Sequence, residues 1–183
     1  MSQPQIDRHG RLMRPLVVLL EELTELINLL TDAQYVQRPV GPVDASVGAH
    51  VRHALDHVRH LLSAPTTGEI NYDVRDRGTR VESCRQSALE ELAALMKQLR
   101  EIHDSCSEVA VVVRTLLSAD EPAIEVRSSF GREVAFTISH TIHHNALLAA
   151  MAKTLGARAP ERLGYAPSTL RHLQTLEAPA CAR

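Results

Sequence analysis

Leu16, Leu19, Leu20, Leu23, Leu26, Ile27 and Leu30 share one side of a helical projection, while Glu21, Glu22 and Glu25 take the other. That spacing of three and four predicts an amphipathic helix over residues 12–30 with one buried face. Pro39, Gly41 and Pro42 interrupt the pattern, and Ser46 stands where an N-cap would open a second helix, from residue 47 to about residue 63. Val47, Ala54, Val58, Leu61 and Leu62 centre its apolar stripe, and Pro65 with Gly68 reads as its stop. Residues 69–78 carry no clear period and read as a polar connection, in which Tyr72, Asp73, Arg75 and Arg77 suit specific side-chain contacts. A third helix begins near Thr79 or Ser83, each followed three residues on by Glu82 or Gln86 as in a capping box, and runs through Leu89, Leu92, Leu95, Met96, Leu99 and Ile102.

The pattern then changes period. Residues 109–116 are dense in β-branched side chains, residues 123–129 form a shorter extended run, and Ser118 to Pro122 makes the turn between them. This predicts a small β-hairpin inserted before the last long helix. That fourth helix spans residues 132–156 and closes on Gly156, a residue suited to positive φ just past a helix end. Phe136, Thr137, His140, His144, Leu147 and Met151 fall on one stripe of it, so a pair of histidines interrupts an apolar face. Beyond Gly156 the tail is rich in Ala, Pro and Arg, with one further turn of helix starting at Pro167.

Four amphipathic helices joined by short connections make an all-α four-helix bundle the economical fold, with the hairpin as an insert. The 183 residues suffice for one sizeable core, and the expected division is a bundle over residues 1–160 and a carboxy-terminal extension over 161–183. Trp is absent and Phe and Tyr total five, so that core must be aliphatic. A formal charge of −2 with scattered arginines leaves no basic footprint for nucleic acid. The amino terminus lacks the apolar core of a signal peptide and no run is long enough to span a bilayer, so a cytoplasmic location without membrane association is expected. Cys84, Cys106 and Cys181 are odd in number and unpaired in spacing, which fits reduced thiols better than a disulfide framework.

Histidine is where the sequence turns chemical. His140 and His144 lie four apart and present their rings to one small volume, a spacing suited to sharing a metal ion. The second helix carries His50, His53, His57 and His60, spaced by three, four and three along one flank of its apolar stripe. His50 and His57 lie nearest that stripe, and periodicity ranks His57 at least level with His53 as a ligand. Two neutral imidazoles on a buried face are costly unless each finds a partner.

The stretch Ser46-Val-Gly-Ala-His-Val-Arg-His53-Ala-Leu-Asp56, followed by His140-Thr-Ile-His-His144, resembles the DinB-like superfamily, which includes bacillithiol transferases and mycothiol-dependent maleylpyruvate isomerases. The resemblance covers the chain from the first helix to Gly156. It implies a four-helix bundle, often dimeric, with one divalent ion on three histidines, here His53, His140 and His144. Many members continue with Arg-Gly-Gln after the second histidine of the pair, where this chain has Asn145-Ala146-Leu147, so no substrate contact of that tripeptide carries over.

The implied ion is zinc or nickel foremost, with iron, manganese or copper as the other candidates, since three imidazoles suit several divalent metals. Three such ligands leave a coordination position open, as in catalytic sites. The implied activity is that of a metal-dependent transferase or isomerase, hydrolase-like chemistry being the other option, with a low-molecular-weight thiol and a small electrophile as partners and a homodimer as the assembly. His57, one turn beyond His53, is the candidate base, and Tyr72, Asp73 and Arg75 are candidates for closing the substrate side. Asp56 can hold a ligand's free nitrogen or pair with Arg52 or Arg59. The competing reading is a non-enzymatic, dimerising, stress-associated module that only binds metal.

Overall fold

A computed structural model describes residues 10–40 and 44–177, so residues 1–9, Gly41, Pro42 and Cys181 lie outside the described residues. In chain order the elements are α1 (Arg14–Leu29), α2 (Asp32–Val36), α3 (Val47–Thr67), β1 (Glu69–Asn71), α4 (Arg80–Ser83) and α5 (Arg85–Glu101). A 3₁₀ turn (Asp104–Glu108), β2 (Ala110–Thr115), β3 (Ile124–Ser129), α6 (Phe130–Thr154) and α7 (Pro167–Glu177) follow. The four long helices are those the apolar spacing predicts, and they pack as a ring in which α1 neighbours α5, α5 neighbours α3, α3 neighbours α6 and α6 neighbours α1. Leu16, Leu20, Leu23 and Ile27 from α1 meet Val51, Leu55 and Val58 from α3, Leu92 and Leu99 from α5, and Val134 and Leu148 from α6 in one buried cluster. Each such side chain stabilises the fold by roughly 1.5–3 kcal/mol before chain entropy is charged against it.

The helix ends follow from local chemistry. Ser46 caps α3 by accepting the Ala49 N–H at 3.2 Å. At the end of α6, Gly156 sits at φ +72° while its own N–H reaches the Lys153 carbonyl and the Ala157 N–H reaches that of Ala152, the Schellman pattern. Two expectations need correction. Helix α3 does not stop at Pro65 but carries it in the last turn, where the missing N–H costs only one bond, and ends at Gly68. No capping box forms at Thr79, whose side chain makes no cap bond while the Glu82 carboxylate is held by Arg52 at 2.8 Å, and Ser83 ends α4 rather than capping a helix, the N-cap of α5 being Cys84.

The expected hairpin is present: β2 and β3 pair antiparallel, with Val113 opposite Val126. The connection after α3 was expected to be irregular, yet it opens as β1, which pairs parallel to β2 and places Ile70 opposite Val113. The sheet order is therefore β1-β2-β3, with Ile70, Val111 and Val113 buried. Two short helices also escape the periodicity. In α2 the Tyr35 hydroxyl donates to the Val81 carbonyl of α4 at 2.7 Å, and a Cβ on Gly48 would stand 2.1 Å from the Glu82 carbonyl oxygen, so α3 and α4 approach closely only because residue 48 has no side chain. Among the described residues no helix is long and apolar enough to cross a membrane.

Candidate metal centre

Helices α3 and α6 bring five histidines to their shared face. The His57 ring lies 3.6 Å from that of His140, His53 lies 5.1 Å from His140 and 4.7 Å from His144, and His50 lies 5.7 Å from His144. Contacts that advance along one helix as they retreat along the other make the pair antiparallel. Ligand atoms of His53, His57 and His140 all fall within 4.8 Å of one another, a group that could hold a metal ion. The ring of His144 is 4.4 Å from that of His140. His143 is exposed and touches His144 edge-on, and His60 turns away to meet the Val74 carbonyl through Nε2 at 2.9 Å.

Burial governs the charge state of this group. His140 is pushed down to about 2, His53 to about 3 and His144 to about 4, in each case first by loss of solvent and then by neighbouring charges, Arg75 leading these for His53. His50 and His57 shift the same way for the same first reason. All five are therefore neutral near pH 7, the form that offers a lone pair to a cation. The Nδ1 atoms of His53, His140 and His144 are buried without a hydrogen-bond partner, as are both ring nitrogens of His50. An orphaned polar atom of this kind costs about 1–3 kcal/mol, so a bound cation fits the donor set. His57 differs: its Nδ1 lies 3.2 Å from the His53 carbonyl, which can only accept, so Nδ1 carries the proton and the lone pair is on Nε2.

The other singled-out residues divide. Tyr72 is brought in: its ring stacks on His57 at 5.0 Å and 10°, and its hydroxyl donates to Glu133 at 3.1 Å. Burial pushes the Tyr72 phenol up, so it stays protonated. Asp73 is not brought in, since its carboxylate accepts the Leu116 N–H at 2.7 Å and ties the connection to the hairpin. Arg75 is exposed and acts on the imidazoles through its charge. Asp56, 1 % exposed, is held by Arg52 at 2.7 Å and by Arg59, and these guanidiniums continue to Glu82 and Glu91.

Glu133 escaped the sequence reading. It is buried, accepts from Tyr72, from the Ser128 hydroxyl at 2.6 Å and from Arg132 at 3.1 Å, and its only signal was an acid in the first turn of a helix. Asn145 also faces inward, its amide donating to the Leu19 carbonyl of α1 at 3.0 Å, a role in packing α6 against α1. Beside the imidazoles a cavity of about 500 Å³ opens between the hairpin and the start of α6, with Tyr72 and Phe136 in its wall.

A four-helix bundle with a buried histidine group able to hold a metal is the class that this geometry defines. The chain belongs to the DinB superfamily, whose family model matches residues 16–148. It is also similar, at 35 % identity over 106 residues, to FK506-binding protein 5 of Rhizopus delemar, the match taking in 57 % of this chain and 28 % of that protein. The chain thus spans little more than a quarter of the length of that curated relative.

Proposed function

We propose that this protein is a metal-dependent enzyme that joins a low-molecular-weight thiol to a small electrophile, or isomerises the electrophile through that thiol. His53, His140 and His144 would hold the divalent ion, zinc or nickel first. The observation that carries the reading is the tilt of their rings: His53 stands at 79° to His140 and 83° to His144, and the latter two at 50° to each other. Three inclined planes allow three lone pairs to aim at one point. The ligand atom of His57 also lies within 4.8 Å of those of His53 and His140, but its ring is only 15° from the plane of His140 with centroids 3.6 Å apart, so stacked as they are the two rings aim poorly at one shared ion and His144 is preferred as the third ligand.

Held by these three imidazoles, a divalent ion would supply the positive charge that lowers the pKa of a thiol. The chain's own groups do the rest. His57, fixed by its Nδ1–H on the His53 carbonyl, presents Nε2 to take the thiol proton. Tyr72, stacked on it and anchored on Glu133, holds that ring in place and keeps bulk water from its face. The reading includes a homodimer and a cytoplasmic setting, where small thiols stay reduced.

Protein purified without a histidine tag and loaded with zinc or nickel should turn over an electrophilic probe with a small thiol. His144→Ala should lose both ion and turnover, whereas His57→Gln should keep the ion and lose turnover. A tightly held ion with no turnover across a panel of thiols, esters and amides would transfer the case to a non-catalytic, dimerising metal module. Failure to hold any ion would end both readings.

A further inference from the structure

The sheet ends on an open side. Its order is β1-β2-β3, so β3 pairs with β2 alone, and among the described residues no strand meets its other side. The register from Ala110 opposite Ser129 to Thr115 opposite Ile124 advances one for one, so no bulge twists this edge away, and β3 holds neither proline nor lysine. An edge left in that state is a template for another strand. The phase of the ladder decides which groups it offers. Phe130 donates its N–H to the Val109 carbonyl at 2.8 Å, one step beyond the Ala110 and Ser129 pair, so these two form a hydrogen-bonded pair. Such pairs recur at every second residue, so Ser128 and Val126 turn their main-chain groups toward β2, and Glu125 and Arg127 turn theirs to the open side. The same alternation puts the Glu125 and Arg127 side chains on the sheet face opposite to that of Val113 and Val126. There Glu125 is 65 % exposed with Arg114 at 3.7 Å, and Arg127 is exposed without an ion pair among the described residues.

We propose that this edge is where two copies of the chain join, β3 against β3 in antiparallel pairing about a two-fold axis at Val126. The charges select that register. With Val126 opposite Val126, Glu125 of each copy lies opposite Arg127 of the other, and these residues exchange four main-chain hydrogen bonds across the axis. Centring the pair on residue 125 or on residue 127 instead sets Glu125 against Glu125 or Arg127 against Arg127, and like charges directly opposite are unfavourable. On the other face the row of Val113 and Val126 continues into Val126 and Val113 of the second copy. That covers Val126, 44 % exposed in the single chain although its cross-strand neighbour Val113 is buried. One strand pair is a small contact, so the association is reversible and depends on concentration. The inference gives the homodimer of the functional reading its surface and rests on that part of the reading alone, since it needs neither metal nor turnover.

Sedimentation equilibrium of the full chain, from the micromolar to the millimolar range, tests the proposal. The wild-type chain should pass from monomer to dimer. Arg127→Glu and Glu125→Arg each turn two attractions into two repulsions, so each should raise the dimer dissociation constant about tenfold or more. An equimolar mixture of the two variants restores opposite charges across both pairs and should form a heterodimer about as tight as the wild-type dimer. The double variant, with the two charges exchanged, should self-associate likewise. Amide exchange should slow at Glu125 and Arg127 as the wild-type chain is concentrated, while that of Val126, already bonded to β2, should not change. A chain that stays monomeric throughout would overturn both the interface and the homodimer, leaving the edge to a strand of another protein. A dimer indifferent to both reversals, variants that stay apart when mixed, or unprotected amides at Glu125 and Arg127 would overturn the interface and leave the homodimer to another surface. Zinc content should be equal in the wild type and both variants, which keeps a failure here apart from a failure of the metal reading.

Discussion

Replacing Asp56 with Asn tests whether that carboxylate serves the frame or the imidazoles. It is almost fully buried, and one oxygen accepts from Arg52 at 2.7 Å and the other from Arg59. Through Glu82 at 2.8 Å and Glu91 at 2.7 Å the same two guanidiniums fasten α3 to α4 and α5, a chain of five alternating charges. Asparagine keeps one acceptor but turns an NH₂ against a guanidinium, so one charge-assisted bond is lost, the other weakened and a donor set against a donor. At about 1.5–3 kcal/mol for each charge-assisted bond the expected cost is about 3–5 kcal/mol, the range for breaking a buried ion pair. With an m-value of about 2 kcal/mol/M the urea midpoint should fall by about 1.5–2.5 M. Circular dichroism in urea on metal-free protein reads this directly, and zinc affinity at neutral pH should change little. A stability change under about 0.5 kcal/mol, a midpoint moved by less than about 0.25 M at that m-value, together with weakened metal binding, would refute the reasoning and make Asp56 a support for a ligand ring.

Gly48→Ala should destabilise by about 1–3 kcal/mol despite the better helix propensity of alanine, since its Cβ would fall 2.1 Å from the Glu82 oxygen and 2.7 Å from Tyr35; an unmoved denaturation midpoint would contradict that approach. Metal-free protein should lose stability as pH falls from 7 toward 4, because His53, His140 and His144, at about 3, 2 and 4, stay neutral when folded and bind protons when unfolded. With unfolded values near 6.5, each costs at most about 1 kcal/mol between pH 6.5 and 5.5, and urea midpoints that stay flat over that window would place the rings in water. Zinc or nickel at about a hundred times its Kd should add about 2.7 kcal/mol, a gain seen as a raised melting temperature and missing from His144→Ala.

The long helices were legible because each writes its buried face in the spacing of its own leucines, and Ser46 and Gly156 mark ends by chemistry confined to a few residues. The meeting of the second and fourth predicted helices was legible for the same reason, since histidines flanking two apolar stripes must face each other once the stripes pack. What could not be read depended on distant partners. Strand β1 is three residues long, too short to show alternation, and exists because β2 lies some forty residues further on to receive it. Helices α2 and α4 form around contacts such as Tyr35 with the Val81 carbonyl. The capping box expected at Thr79 failed because Glu82 found Arg52, thirty residues away, instead of the backbone beside it, and the one expected at Ser83 failed because the chain starts its long helix one residue later, at Cys84. A helical wheel could rank His57 level with His53, yet only ring planes distinguish a stacked imidazole from an inclined one.

The parallel pairing of β1 with β2 reaches beyond the sheet. Strand β1 begins two residues after α3 ends, and β3 passes directly into α6. Main-chain hydrogen bonds thus hem the outgoing end of one histidine helix to the incoming end of the other, like a seam sewn across the mouth of a sleeve. Loosening α1 or α5 would let the far side of the bundle breathe while the two imidazole rows keep their spacing.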